Sequence, residues 1–253
     1  MWSSIRHIDF PESLAEANKL AGEEGKTLFA GGTYLVAEKN PAVHTLVDIN
    51  HLLDRSIQCT DDAIIIGAGA TLQQIVCTLQ ERKPLSLSRA ARQSCYSKNI
   101  RNQRTIGGEI ARRKTCSEVV TLLHALNTRL LITAETGRSI PLRRWNGAGI
   151  IEALAIGTAD IRAEALERFA LLPSAAAMVV VAGVRRGSQV EISVGGQARC
   201  VATLQIPVEE FTNERIAAFS AATIRNFRAD AAGSLRYKQS LIETGLKRVR
   251  KQL

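Results

Sequence analysis

Thr27-Leu-Phe-Ala-Gly-Gly-Thr-Tyr-Leu-Val36 and, further along, Ile100-Arg-Asn-Gln-Arg-Thr-Ile-Gly-Gly-Glu-Ile110 share one pattern. In each, an apolar or β-branched run feeds into a glycine pair with a threonine close by: Thr33 follows the first pair and Thr105 precedes the second. Without a Cβ, Gly31, Gly32, Gly107 and Gly108 can take φ > 0, so both stretches read as strand-then-turn loops whose N–H groups converge. Converging N–H groups make an anion-binding concavity, stronger where a helix N-terminus adds its dipole. Either loop alone is a weak signal, because a glycine pair after a strand is more often just a tight turn. Two such loops facing each other can hold a pyrophosphate from both sides. This predicts a dinucleotide site without a Rossmann fingerprint.

Outward from the first loop, Glu12 to Gly25 has the spacing of an amphipathic helix, with Pro11 at its start and Gly25 closing it. Thr27–Ala30 and Thr45–Ile49 read as strands, giving a βαβ-like unit over about residues 1–52. A second unit, about 53–160, holds a strand at Ala63–Ile66, helices over Thr71–Gln80 and Val119–Leu126, and a strand at Arg129–Ala134. Glu135-Thr-Gly-Arg138 then makes a hairpin turn into Ser139–Leu142. From about 161 the pattern changes to a hairpin, Ala175–Val184 and Gln189–Val194 around Arg185-Arg-Gly-Ser188, followed by helical stretches at Glu209–Phe227 and Ser234–Val249. Strands followed by helices point to a separate α+β domain over 161–253.

The chain has 253 residues and carries a formal net charge of +9, from 33 Lys and Arg against 24 Asp and Glu. Such a balance raises nucleic-acid binding as a candidate, but aromatics are only 4% of residues, too few for a base-stacking surface. The basic residues cluster at Arg101–Lys114, around the second glycine pair, and at Lys247–Lys251, which reads as the solvated end of a helix. The longest apolar stretch, Ala175 to Val184, is too short to span a bilayer, and the N-terminus lacks a secretory h-region. The expectation is a cytoplasmic protein with no membrane insertion. Five scattered cysteines without C-x-x-C, and four histidines without ligand spacing, predict neither a metal site nor an iron–sulfur cluster held by this chain alone. Gly67-Ala-Gly69 has Leu72 where G-x-G-x-x-G needs glycine and reads as a turn; no Gly-Lys-Ser/Thr is present. No catalytic acid–base or nucleophile grouping is evident.

The two loops come with ordered company: Leu46-Val-Asp-Ile49, Ile64-Ile-Ile-Gly-Ala-Gly-Ala-Thr-Leu-Gln-Gln74, Ser88-Arg-Ala-Ala91 and, near the C-terminus, Ser234-Leu-Arg-Tyr-Lys238. In this order the series resembles the FAD-binding subunit of the xanthine dehydrogenase and carbon monoxide dehydrogenase family of molybdenum hydroxylases, over most of residues 1–157. The resemblance implies an α+β fold. Two α/β subdomains of the PCMH-type FAD-binding fold would fill residues 1–160, followed by a C-terminal α+β domain of the CO dehydrogenase flavoprotein type. It implies FAD held on one side by Leu28, Ala30, Gly31, Gly32, Thr33, Tyr34 and Leu35, and on the other by Arg101, Thr105, Ile106, Gly107 and Gly108, with Glu109 and Glu118 nearby. Family neighbours of the flavin ring fall loosely at Tyr96, Leu154 and Arg168.

The implied role is electron transfer from a 2Fe-2S subunit and a molybdopterin-binding subunit, through FAD, to NAD or another acceptor. Two departures from the family pattern stand out. Glu109 replaces an asparagine, placing a carboxylate beside a dianionic ligand, and Tyr34 stands where a small polar residue is usual; together they suggest a divergent Gly-Gly-Glu-Ile branch. Glu118 keeps the acceptor of the family's aspartate on a longer stem. A structural subunit of the same complex that has lost flavin is the alternative; a basic nucleic-acid-binding protein is a weaker one.

Overall fold

A computed structural model describes residues 2–82, 84–133 and 139–253, which fold into three successive sheets. β1 (His7–Asp9), β2 (Lys26–Phe29) and β3 (Thr45–Asp48) form a parallel sheet in the order β1-β3-β2. Parallel neighbours need crossovers, here α1 (Leu14–Leu20) and the short α2 (Leu35–Glu38). Ser13 caps α1 by accepting from the Glu16 N–H. The helix expected over Glu12–Gly25 stops at Leu20.

The second sheet is antiparallel, in the order β4-β5-β8-β6-β7, from β4 (Ile57–Cys59), β5 (Ala63–Gly67), β6 (Arg129–Ile132), β7 (Ser139–Pro141) and β8 (Ile151–Gly157). The turn expected at Glu135–Arg138 lies outside the described residues. Between β5 and β6 run α3 (Leu72–Leu79), α4 (Leu85–Ser94), α5 (Lys98–Arg101), α6 (Ile106–Ala111) and α7 (Glu118–Ala125). α3 starts at a capping box, Thr71 with Gln74, and buries Leu72, Ile75, Val76 and Leu79. Each such side chain contributes about 1.5–3 kcal/mol. Pro84 cannot cap α4 with a side chain, so the Glu164 carboxylate accepts from the Leu85 and Ser86 N–H groups instead.

The third sheet is an antiparallel meander, β9 (Ile161–Phe169), β10 (Val179–Arg186), β11 (Gln189–Gly196) and β12 (Ala202–Pro207). Its hairpin matches the expected one, whereas β9 and β12 had no counterpart in the sequence reading. β10 is buried on both faces. Val180, Ala182 and Val184 join the core shared with α3, α4 and α7, while Val179 and Val181 join a second core with α8 (Asn213–Thr223) and α9 (Leu235–Gln252). Period-two alternation explains how one apolar strand serves both sides. Lys238, from the Ser234–Lys238 motif, is fully buried; its ammonium donates to Asp230, the Arg228 carbonyl and Gln197. That motif is a brace for the loop before α9.

His124 on α7 is largely buried, and its Nδ1 has no hydrogen-bond partner among the described residues. Burial, with a smaller effect from the Arg143 guanidinium, pushes its pKa down to about 4 from an ordinary 6.5. Above the ordinary value both folded and unfolded chains hold it neutral. Below it, the unfolded chain gains a proton that the folded chain refuses. Stability should therefore fall between pH 6.5 and about 4, by about 3 kcal/mol over the whole window. Urea unfolding followed against pH should show this drop, and His124→Leu should flatten it; an unchanged slope in the variant would refute the assignment.

Candidate functional site

The first glycine loop lies at the end of β2. Gly32 sits at φ 67°, and a Cβ there would meet the Phe29 ring at 2.4 Å. This left-handed turn leaves a row of backbone donors open: among the described residues, no acceptor partners the N–H groups of Gly31, Gly32, Thr33 or Tyr34. Unpaired N–H groups on a concave wall are what an anion requires.

The second pair corrects the sequence reading. Gly107 and Gly108 are not in a strand-then-turn loop but inside α6, and neither has positive φ. Thr105 is the helix N-cap, its hydroxyl accepting from the Gly108 N–H at 3.1 Å. The Ile106 and Gly107 N–H groups donate to the Ala70 and Ala68 carbonyls, each at 2.9 Å. The amides expected to converge on a ligand are thus already bonded, and the segment is held against the turn after β5. What these glycines provide is thinness: both line the cleft, and a Cβ on Gly107 would meet that of Ala68 at 2.8 Å.

The two segments meet across a cleft of about 540 Å³. Leu28, Ala30, Gly31, Gly32, Thr33, Tyr34 and Leu35 line one wall, and Thr105, Gly107 and Gly108 the other. Ile106 is fully buried in the core instead. Arg101 also lies elsewhere: buried, it donates to Gln73 and to the carbonyls of Cys95 and Tyr96, bracing the turn before α5. The cleft cations are Lys26, Arg104, Arg112 and Lys114; the last three belong to the basic cluster Arg101–Lys114, whose charge favours a bound pyrophosphate, whereas the sequence does not mark Lys26. Arg104 Nε donates to the Thr33 hydroxyl at 3.4 Å. Arg112 Nε is buried with no hydrogen-bond partner among the described residues. Free backbone N–H groups, an orphaned guanidinium donor and threonine hydroxyls that still carry a proton fit a polyanion such as a pyrophosphate.

A second chamber of about 400 Å³ adjoins the first. Its lining includes Tyr96, Cys116, Glu118 and the 174–176 segment, and it shares Tyr34, Arg104 and Arg112 with the first. Glu118 begins α7 behind its Ser117 cap, is buried, and accepts from Arg168 Nε; Arg168 also donates to the Ala175 carbonyl. Leu154 is core, on β8. Burial is the main cause that raises the pKa of the Cys116 thiol, which disfavours its thiolate form.

Glu109 does not stand exposed to the first chamber. It is buried, accepts from the Tyr34 hydroxyl at 2.8 Å and pairs with Arg104 at 3.7 Å. The two departures in the sequence motifs are therefore partners in space.

Among the described residues, no cluster of three potential metal ligands occurs, and no helix is long and apolar enough to cross a membrane. A family model for the FAD binding domain in molybdopterin dehydrogenase matches residues 6–149. Aldehyde oxidase 2 of Macaca fascicularis is 35% identical over 104 residues, covering 37% of this chain but only 8% of that protein. Among solved structures, a carbon monoxide dehydrogenase from Hydrogenophaga pseudoflava aligns with TM-score 0.80 at 22% identity, over 98% of this chain and 96% of that one. Quinoline 2-oxidoreductase from Pseudomonas putida 86 gives 0.78 at 20%, over 98% and 95%. At these identities the structural matches establish the fold.

Proposed function

The chain belongs to the family of FAD-binding domains of molybdopterin dehydrogenases, and from that premise we propose that it is the FAD-binding, electron-transfer subunit of a molybdenum hydroxylase-type oxidoreductase complex. It would work between a 2Fe-2S partner, itself served by a molybdopterin-binding subunit, and NAD or another acceptor. The observation that carries this reading is the row of N–H groups at Gly31–Tyr34, unpaired among the described residues, on a stretch that lines the same cleft as Arg104 and Arg112. FAD supplies the redox chemistry when bound; the protein need only bind it, orient it and set its electrostatics. Gly31–Tyr34 and the two arginines would hold the phosphates, Thr33 and Thr105 would donate from their hydroxyls, and Glu118 would accept from a ligand hydroxyl. Such a role requires no acid–base pair from the protein.

Residues 1–160 would form the flavin-holding domain, in units of about 1–52 and 53–160, and 161–253 the C-terminal domain. The second core around α8 and α9 supports this division. The Tyr34–Glu109 pair supports placing the chain on a divergent branch. The same pair also favours a second reading, a structural subunit without flavin, because it occupies the junction of the two chambers.

The visible absorption spectrum of the purified protein decides between them. Near-stoichiometric FAD, released on denaturation, is the expected result. A colourless protein that takes up no added FAD would overturn the flavin reading in favour of the structural one.

A further inference from the structure

Among the described residues, Tyr34, Arg104 and Arg112 are the ones that line both chambers. The carbon centres of both guanidinium groups lie close to the Tyr34 ring centroid, Arg104 at 4.0 Å and Arg112 at 3.2 Å. The ring hydroxyl is tied to the buried Glu109 carboxylate. Arg112 is otherwise weakly held: among the described residues its Nε lacks a hydrogen-bond partner, and it stands 3.9 Å from a half-exposed Glu38 carboxylate, which Lys114 shares at 3.8 Å. The Tyr34 ring is thus stacked against two cations and held by one hydrogen bond from its hydroxyl.

Resting on the flavin-subunit reading, we propose that Tyr34 is a displaceable plug. An extended dinucleotide joins the two chambers by moving the ring aside, and its pyrophosphate replaces the ring as the partner of Arg104 and Arg112. An aromatic face is a modest partner for a guanidinium, whereas phosphate oxygens offer short, charge-assisted and bidentate bonds. The exchange is therefore favourable for both arginines. Glu109 is not abandoned when the ring leaves, because Arg104 remains beside it. Burial and the Glu109 carboxylate hold the tyrosine hydroxyl protonated, so the latch keeps its donor. A ligand without phosphates provides nothing to replace the ring, which makes the plug selective for dinucleotides over the bare flavin ring system. The plug also gives Glu109 a purpose: it is the catch of the latch, not a repulsive charge left beside a dianion.

The test uses the full chain freed of flavin, with uptake followed by quenching of flavin fluorescence and folding checked by thermal melting. Tyr34→Phe removes the latch and keeps the ring; Tyr34→Ala removes both. Either should speed FAD association about tenfold, the effect of losing one hydrogen bond to a charged acceptor. Arg112→Gln should weaken FAD about tenfold and ADP, which carries the pyrophosphate without the flavin ring, by the same factor. A wild type that takes up FAD slowly while Tyr34→Ala takes it up faster would support the plug. Wild-type uptake of FAD with rates unchanged in both Tyr34 variants would overturn it and leave the flavin reading standing. Loss of FAD affinity without loss of ADP affinity in Arg112→Gln would overturn the pyrophosphate assignment. No FAD uptake by any form, folded as judged by melting, would overturn the flavin reading and the plug with it.

Discussion

Gly31→Ala is expected to lose flavin and to melt well below the wild type. A Cβ on Gly31 would lie 1.9 Å from the Gln103 carbonyl oxygen and 2.9 Å from its carbon. Both are backbone atoms, so no rotamer change relieves the clash. The opposing segment cannot retreat easily either. The Gln103 and Arg104 N–H groups donate to the Ile100 carbonyl, and the Arg104 carbonyl accepts from the Leu72 N–H at the start of α3. The loops must part instead, at an overpacking cost of about 1–3 kcal/mol, or roughly 2–12 °C in melting temperature for a chain of this size. Parting them displaces the Gly31–Tyr34 donors within the cleft they share with Arg104 and Arg112. Losing about 3 kcal/mol of charge-assisted bonding there weakens FAD at least about hundredfold. Gly157→Ala is the matched control, since a Cβ there meets nothing within 4 Å. Thermal melting and flavin content of the two variants, prepared in parallel, check the expectation. A Gly31→Ala protein that is yellow and as stable as the control would refute the backbone-contact account of this cleft.

The contrast between the two glycine pairs shows which parts of this site sequence can reveal. The first loop was legible because its conformation is local: a strand ends, Gly32 turns with positive φ, and the donors are left free. The second has the same local pattern, yet its amides find acceptors at Ala68 and Ala70, in a segment distant along the chain. Local pattern contains no information on that pairing. Arg101 illustrates a related difficulty. Positive charges near a glycine pair look like phosphate ligands, but only the fold shows that Arg101 turns inward to Cys95 and Tyr96 while Arg104 and Arg112 face the cleft. A signal for the Tyr34–Glu109 contact was available, since one motif gained a hydroxyl donor where the other gained an acceptor. Joining them required the distance. In the third sheet, the apolar run of β10 was readable from its composition, whereas Ile-Arg-Ala-Glu-Ala-Leu-Glu-Arg-Phe of β9 is rich in helix formers. Pairing with β10 overrides that preference.

Arg168→Met is expected to be the most destabilising single change outside the glycine loops. Arg168 reaches from β9 to the Glu118 carboxylate at the first turn of α7, and both side chains are largely buried, 13% and 3% exposed. Its other donor holds the Ala175 carbonyl on the rim of the second chamber. Removing it leaves a carboxylate in the interior with only the helix N-terminus in compensation. Breaking a buried pair from one side costs about 3–5 kcal/mol, or roughly 6–20 °C in melting temperature here. Glu118→Gln in the same chain removes the stranded charge, so the double variant should recover a substantial part of that loss. The recovery separates a charge effect from lost packing: without it, the arginine stem and its hold on Ala175 must account for the damage. Flavin content adds an independent reading. Glu118 Oε1 is taken by Arg168, so Glu118→Gln alone should weaken FAD only a few-fold while Arg168→Met loosens the whole chamber wall. Equal melting temperatures for wild type and Arg168→Met would show that the pair contributes no net stability, and that Glu118 is better regarded as a ligand residue than as a structural one.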